Sequence, residues 1–263
     1  MPEIRTERRA DKPEVLTIFI DNQKALNALT TQMQIDLIRV LKEAKADKSV
    51  RVIVIRGAGH KAFSSGGAME CLDDITNEEA AAAMYQRGCD IRETIESMDK
   101  PILAAVSGYC IGGGFEIAMC CDMIYASDDA RFGLPESNLG LVPGWGGAIR
   151  LPRKVTVNKA KEMILLGEQM PAEEAYRLCI VNKIFPKEDL FAAVDRVVDR
   201  LLERAPLALR GIKAIVSHAI VDGNIDVAHE IEKKLSIYLM STDDFKEAVS
   251  AFEEHRKPKF QGK

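Results

Sequence analysis

Apolar positions along this chain follow two rhythms. Up to about residue 126, short and nearly continuous apolar runs alternate with stretches of helical spacing; beyond residue 158 the helical spacing dominates. Residues 15–20 form a β-branched run that predicts a strand, after which Asp21, Asn22 and Gln23 turn the chain. Thr30 or Thr31 can cap a helix whose apolar face carries Met33, Leu37, Ile38 and Leu41. Residues 50–55 predict a second strand, and its almost unbroken apolar character points to burial beside parallel neighbours. A polar stretch, 73–79, leads into a helix ending near residue 98. Residues 102–106 and 123–126 predict two further strands, and Gly112, Gly113 and Gly114 open a helix between them that runs to about Cys121. Residues 131–147, rich in glycine and proline, read as loop. The segments 159–166, 172–178, 187–205, 207–218, 226–240 and 243–256 predict helices, with Pro206 ending the third. The result is an α/β domain with a helical C-terminal extension, divided at 1–200 and 201–263.

Composition narrows the function. The 263 residues suffice for one large core. A net charge of -4 argues against a nucleic-acid partner. The first twelve residues are charged and no apolar run is long, so neither a signal peptide nor a membrane span is expected, and the cytoplasm is the expected location. Six cysteines (71, 89, 110, 120, 121 and 179) form no CxxC and read as small buried hydrophobes in a reducing compartment. The four histidines have no ligand spacing with them, so no metal is expected.

Two glutamates carry the candidate chemistry. Glu116 closes the run Gly112-Gly113-Gly114-Phe115-Glu116, and Glu136 closes Phe132-Gly133-Leu134-Pro135-Glu136. Two convergent carboxyl groups can activate a water and move a proton, while a glycine-rich helix start offers N–H groups to a developing oxyanion. Each residue also has a plainer reading. The glycines can simply make a tight turn, Glu116 can complement a helix dipole, and Glu136 can be a solvated loop residue. A phosphate cradle is a poor fit, because no GxxxxGK[ST] pattern is present. Ser64 and Ser65 lack an accompanying histidine motif, so neither reads as a nucleophile.

Taken in order, several motifs resemble the crotonase, or enoyl-CoA hydratase/isomerase, superfamily. They are Lys24-Ala25-Leu26-Asn27-Ala28-Leu29, Lys61-Ala62-Phe63-Ser64-Ser65-Gly66-Gly67, the stretch from Ala105 to Glu116, Phe132 to Glu136, Leu139 to Gly144, Gly146-Gly147, Arg150-Leu151, and the tail from Ala251 to Phe260. The resemblance covers nearly the whole chain. It implies a ClpP-like spiral of ββα units, a C-terminal trimerisation region at 201–263, and a homotrimer or homohexamer. It also implies an acyl-CoA thioester as substrate, with coenzyme A as part of that substrate and no separate cofactor.

By the same resemblance the N–H groups of Gly67 and Gly113 polarise the thioester carbonyl. Glu116 and Glu136 hold a water between them, Glu116 as base and Glu136 delivering the proton to Cα. Burial beside Phe115, Leu134 and Pro135 is expected to raise at least one carboxyl pKa. Substrate contacts are implied at Lys24, Ala25, Ser64, Gly66, Ala68, Gly144 and Trp145, and at Phe252, His255 and Lys257 in the tail. Three positions depart from the common pattern. Ala68 stands where many members carry aspartate, Trp145 where many hydratases have a small residue, and His255 where lysine is common. Trp145 either walls the acyl pocket or packs as an ordinary buried aromatic, and the basic tail either meets the nucleotide or is merely solvated. Both glutamates together favour hydration, or the reverse dehydration, over a double-bond isomerase working through Glu136 alone. Carnitinyl-CoA-type dehydration and ring-acyl-CoA hydration or hydrolysis remain open.

Overall fold

Alternate burial along residues 12–21 builds the first core strand. Val15, Leu16, Ile18 and Ile20 are buried, while Thr17 and Phe19 between them lie on the opposite, half-buried face. The computed structural model describes residues 1–73, 75–219 and 224–263. The chain divides into two compact units, residues 1–98 with 102–194, and residues 99–101 with 195–263.

The first unit holds two sheets. The larger has the order β1 (Glu3–Arg9), β2 (Lys12–Asp21), β3 (Val52–Gly57), β5 (Ile102–Val106), β7 (Met123–Ser127), β10 (Lys183–Phe185). Only the β1–β2 pair is antiparallel; the remaining neighbours are parallel. The smaller has the order β4 (Ala62–Ser64), β6 (Tyr109–Ile111), β8 (Arg131–Gly133), β9 (Met170–Pro171). Consecutive strands therefore alternate between sheets: β3 then β4, β5 then β6, β7 then β8. Each pair is followed by helix: α2 (Glu70–Asp73) and α3 (Glu78–Glu96), then α4 (Gly113–Cys120), then α5 (Gly147–Lys154). This is the spiral of ββα units that the resemblance implied.

Local chemistry explains the elements that frame the site. In α1 (Thr31–Ala46), Thr30 Oγ1 accepts the Met33 N–H, a cap typically worth ~1 kcal/mol. The buried face of α1 is Met33, Leu37, Val40, Leu41 and Ala44. Strands β3 and β5 are buried almost throughout, as their apolar runs predicted. They bring the chain to the short strands β4 and β6, from which the site loops spring. Helix α6 (Val157–Leu166), α7 (Ala172–Arg177) and the start of α8 (Leu190–Leu202) complete this unit.

Several elements differ from the sequence reading. The charged stretch Glu3–Arg9 is a strand, because an edge strand needs only one partner and tolerates charge on its open side. The segment 131–147 is not all loop, since it contains β8 and a short 3-10 turn, Glu136–Leu139. Helical structure begins at Gly147, before the expected 159, and tolerates Pro152.

The second unit contains the end of α8, then α9 (Pro206–Ser217), α10 (Ile225–Met240) and α11 (Asp243–Glu253). Pro206 is the first residue of α9, where its missing N–H costs nothing. Buried Asp244 accepts the N–H groups of Gln261 at 2.7 Å and Gly262 at 2.9 Å, which fixes the C-terminal residues to α11.

Candidate active site

Helix α4 begins where β6 leaves the smaller sheet. Gly112, at φ 54 and ψ -129, makes a turn open to glycine and closed to most side chains. The N–H of Gly113 is the first of the helix and has no acceptor among the described residues. The loop after β4 lies directly against it. Gly66 takes φ 92, and a Cβ on Gly66 would stand 2.8 Å from the Gly113 nitrogen. Gly67 follows, paired with Leu29 in an isolated bridge made by the Leu29 N–H to Gly66 O and the Ala68 N–H to Leu29 O. The Gly67 N–H is also without an acceptor among the described residues.

The loop is held by its own side chains. Ser64 is fully buried; its hydroxyl donates to Asn27 O at 2.8 Å and accepts the Gly66 N–H at 3.1 Å. The Ser65 hydroxyl donates to Ala25 O, and the Ser65 N–H donates to Leu26 O. Ala68 is buried with Ala28 and Cys71 in a small apolar cluster. Asn27, in the left-handed region at φ 57, joins the two loops by donating to Ala58 O and Ala62 O.

One turn into α4, Glu116 is buried at 2% exposure. Its Oε1 accepts the N–H of Gly147 at 2.7 Å and that of Trp145 at 2.8 Å. Burial pushes its pKa up to about 7, and the charge of Glu136 adds to the rise; the Gly147 and Trp145 N–H groups and Arg150 pull against it. Glu136, at the start of the 3-10 turn, has its carboxyl pKa raised by burial. Its Oε2 is buried and has no hydrogen-bond partner among the described residues. Its Oε1 lies 3.1 Å from where a Gly112 Cβ would be, so Glu136 faces the turn that opens α4. The structure therefore brings Gly66, Gly67, Gly113, Glu116, Glu136 and Trp145 together.

This fold agrees with known proteins. The family model described as enoyl-CoA hydratase/isomerase matches residues 11–263. The chain belongs to the enoyl-CoA hydratase/isomerase family. The crotonyl-CoA hydratase of Syntrophomonas wolfei is 36% identical over 256 residues, covering 96% of this chain and 97% of that protein. The short-chain-enoyl-CoA hydratase of Clostridium acetobutylicum is 34% identical, covering 93% of each. A solved enoyl-CoA hydratase of Bacillus anthracis superposes with a TM-score of 0.94 at 28% identity, over 99% of both chains. The hydratase expectation drawn from the two glutamates agrees with these relatives, and the chain is an enzyme of the enoyl-CoA hydratase type, a hydro-lyase.

The other residues that the family resemblance singled out fall into two groups. Lys24 lines a cavity of about 490 Å³ with Gln23, Leu26, Asn27, Ala58, His60, Lys61 and Ala62, and the neighbouring Ala25 accepts the Ser65 hydroxyl through its carbonyl. Phe252, His255 and Lys257 belong to the second unit. There Phe252 is 82% exposed, His255 adopts φ 53, and Lys257 pairs with Glu203 at 3.0 Å. Among the described residues no group of three His, Cys, Asp or Glu side chains could hold a metal ion, and no helix is long and apolar enough to cross a membrane. Five of the six cysteines are buried as expected; Cys179 is exposed.

Sequence reasoning missed the cradle of Glu116. The N–H groups that bind it come from residues 29 and 31 positions further along the chain. Arg150 stood among the family motifs without a role; its Nε donates to Glu96 Oε1 at 2.7 Å and its Nη1 donates to Gly146 O at 3.3 Å. Arg150 thereby ties α3 to the residue between the two that hold Glu116. Gly146 and Gly147 stood among the family motifs, but nothing in their order reveals a carboxylate receptor.

Proposed function

We propose that this enzyme adds water across the α,β double bond of an enoyl-CoA thioester, or removes it from a 3-hydroxyacyl-CoA, through Glu116 and Glu136. The thioester oxygen is received by the N–H groups of Gly67 and Gly113, where negative charge accumulates as the enolate forms. Glu116, ionised, takes the proton of a water that attacks Cβ. Glu136 delivers a proton to Cα. In dehydration the same groups act in reverse. The observation that carries this reading is the asymmetry of the two carboxyl groups. Glu116 is fixed through Oε1 by two backbone donors, which leaves Oε2 for water, whereas Glu136 keeps a buried oxygen without a partner. An unpaired buried carboxyl oxygen is costly to keep and is expected where substrate will supply its partner.

The cavity beside Lys24 and Lys61 supports a site for the phosphates of coenzyme A, with Ala25, Ser64 and Gly66 guiding the pantetheine chain toward Gly67. Ala68 and Gly144 then flank the acyl group. Coenzyme A arrives with the substrate, and no other cofactor is required. We assign residues 201–263 to assembly into a homotrimer or a pair of trimers. Exposed Ile212 and Val216 on α9 and Ile237, Tyr238 and Met240 on α10 support that assignment, as does Phe252 on α11. In such an assembly Phe252, His255 and Lys257 would serve the nucleotide. Six cysteines, with no disulfide among the described residues, suit a reducing compartment such as the cytoplasm.

The test is a panel of enoyl-CoA thioesters, short, branched, cyclic and trimethylammonium-bearing, followed by loss of the conjugated-thioester absorbance. Turnover of at least one is expected. Folded protein that turns over none of them would overturn the reading.

A further inference from the structure

We propose that Trp145 is the residue that limits acyl-chain length, by filling the space between α3 and α4 through which a longer chain would leave the site. The inference rests on the hydratase reading above. Trp145 is the only tryptophan in the chain and is buried at 7% exposure. Two glycines receive its indole. On α3, a Cβ at Gly88 would stand 1.9 Å from Cδ1 and 2.1 Å from Nε1. On α4, a Cβ at Gly113 would stand 2.6 Å from Cζ3 and 2.7 Å from Cε3. The pyrrole edge thus sits in a notch of α3 and the benzo edge against the start of α4. Neither helix could carry even an alanine at these points with the ring in place.

Gly113 is also the residue whose N–H receives the thioester oxygen, and the Trp145 backbone N–H holds Glu116, the base at Cβ. Trp145 therefore meets both ends of the reacting unit, with its ring at Gly113 and its backbone at Glu116. The acyl chain must leave from Cβ past this residue, and the interval between the two helices is already occupied. Burial of both edges also argues against a stacking platform, which would have to present a free face to the substrate. The substrate class that fits is a short, unbranched acyl group of crotonyl size.

Specificity constants for crotonyl-, hexenoyl-, decenoyl- and hexadecenoyl-CoA test this in wild type, Trp145→Ala and Trp145→Leu. Because each methylene that a pocket cannot accept costs about 10-fold or more, the wild-type kcat/KM is expected to fall at least ~100-fold from crotonyl- to decenoyl-CoA. Trp145→Ala is expected to bring that ratio within ~10-fold, by gaining on the long substrate as well as losing on the short one. Trp145→Leu, which keeps more of the packing, should lie between them and covers the case in which the alanine variant does not fold. The proposal is overturned if wild type treats crotonyl- and decenoyl-CoA alike, or if the folded variant keeps the wild-type ratio. Absence of turnover on every thioester would instead overturn the hydratase reading itself.

Discussion

Glu116 Oε1 accepts the backbone N–H of Gly147 across 2.7 Å, which joins the first turn of α4 to the first residue of α5. The bond does two things at once. It orients a carboxyl group that burial would otherwise leave free to rotate, and it stabilises the ionised form against that burial. The balance places Glu116 near neutrality, where a general base is most effective.

The first consequence is a pH–rate profile. With Glu116 pushed up to about 7, kcat/KM for hydration should rise with pH through an apparent pKa near that value, as the base becomes ionised. The apparent value belongs to the Glu116–Glu136 pair. Glu116→Gln should lower kcat by at least ~10²-fold and abolish this limb, because a base contributes roughly 10²–10⁴-fold. A variant that kept most of its double-bond isomerisation while losing hydration would instead mark an isomerase.

The same shift predicts a stability effect of the opposite sense. An unfolded glutamate ionises near 4.5, whereas the folded Glu116 holds its proton to about 7. The folded state binds more protons across that interval, so its stability falls as pH rises from about 4.5 to about 7, by on the order of 3 kcal/mol. Glu116→Gln lacks the penalty and can still accept both N–H groups. It should melt higher than wild type at pH 8 and alike at pH 4, measured by thermal unfolding at both values. Equal midpoints at pH 8 would contradict the assignment of the shift.

Arg150 acts on Glu116, the proposed base, through the loop. Its pairing with Glu96 and its bond to Gly146 O hold the loop that carries both Glu116 donors, and its charge lowers the Glu116 pKa. Arg150→Met should therefore move the ascending, acid-side limb of the pH profile to higher pH and lower kcat more than KM changes. Glu96→Gln, which leaves the guanidinium charge in place, should move it less. Falls in activity with an unmoved profile would reduce Arg150 to a packing residue.

What the sequence made legible follows from the range of each interaction. Strands such as β3 and β5 announce themselves because their apolar runs, Val52 to Ile55 and Ile102 to Val106, are unbroken and buried throughout. The three-residue strands β4, β6 and β8 do not, since so few residues hold no period and pairing comes from distant chain. Strand β1 was hidden by its charges, which an edge allows. In the site, Glu116 and Glu136 emerged from ordered motifs, and Gly113 from helix-start chemistry. The Glu96–Arg150 pair spans 54 positions, and the Gly88–Trp145 fit joins α3 to the turn before α5. Both depend on tertiary packing for which no local pattern exists.

Gly66 offers the last test, of the proposed oxyanion site. Its φ of 92 is strained for any side chain, and a Cβ there would lie 2.8 Å from the Gly113 nitrogen. Gly66→Ala should therefore push apart the two segments that present the Gly67 and Gly113 N–H groups, while leaving both N–H groups in the chain. Loss of one aligned donor is worth ~3 kcal/mol in the transition state, or about 10²-fold in kcat. Because neither glutamate is altered, the pH profile should keep its shape while its height falls. Single-turnover kinetics and the pH profile of the variant, measured together, check this. A drop confined to KM would place Gly66 in substrate binding alone and remove the Gly67–Gly113 pair from catalysis.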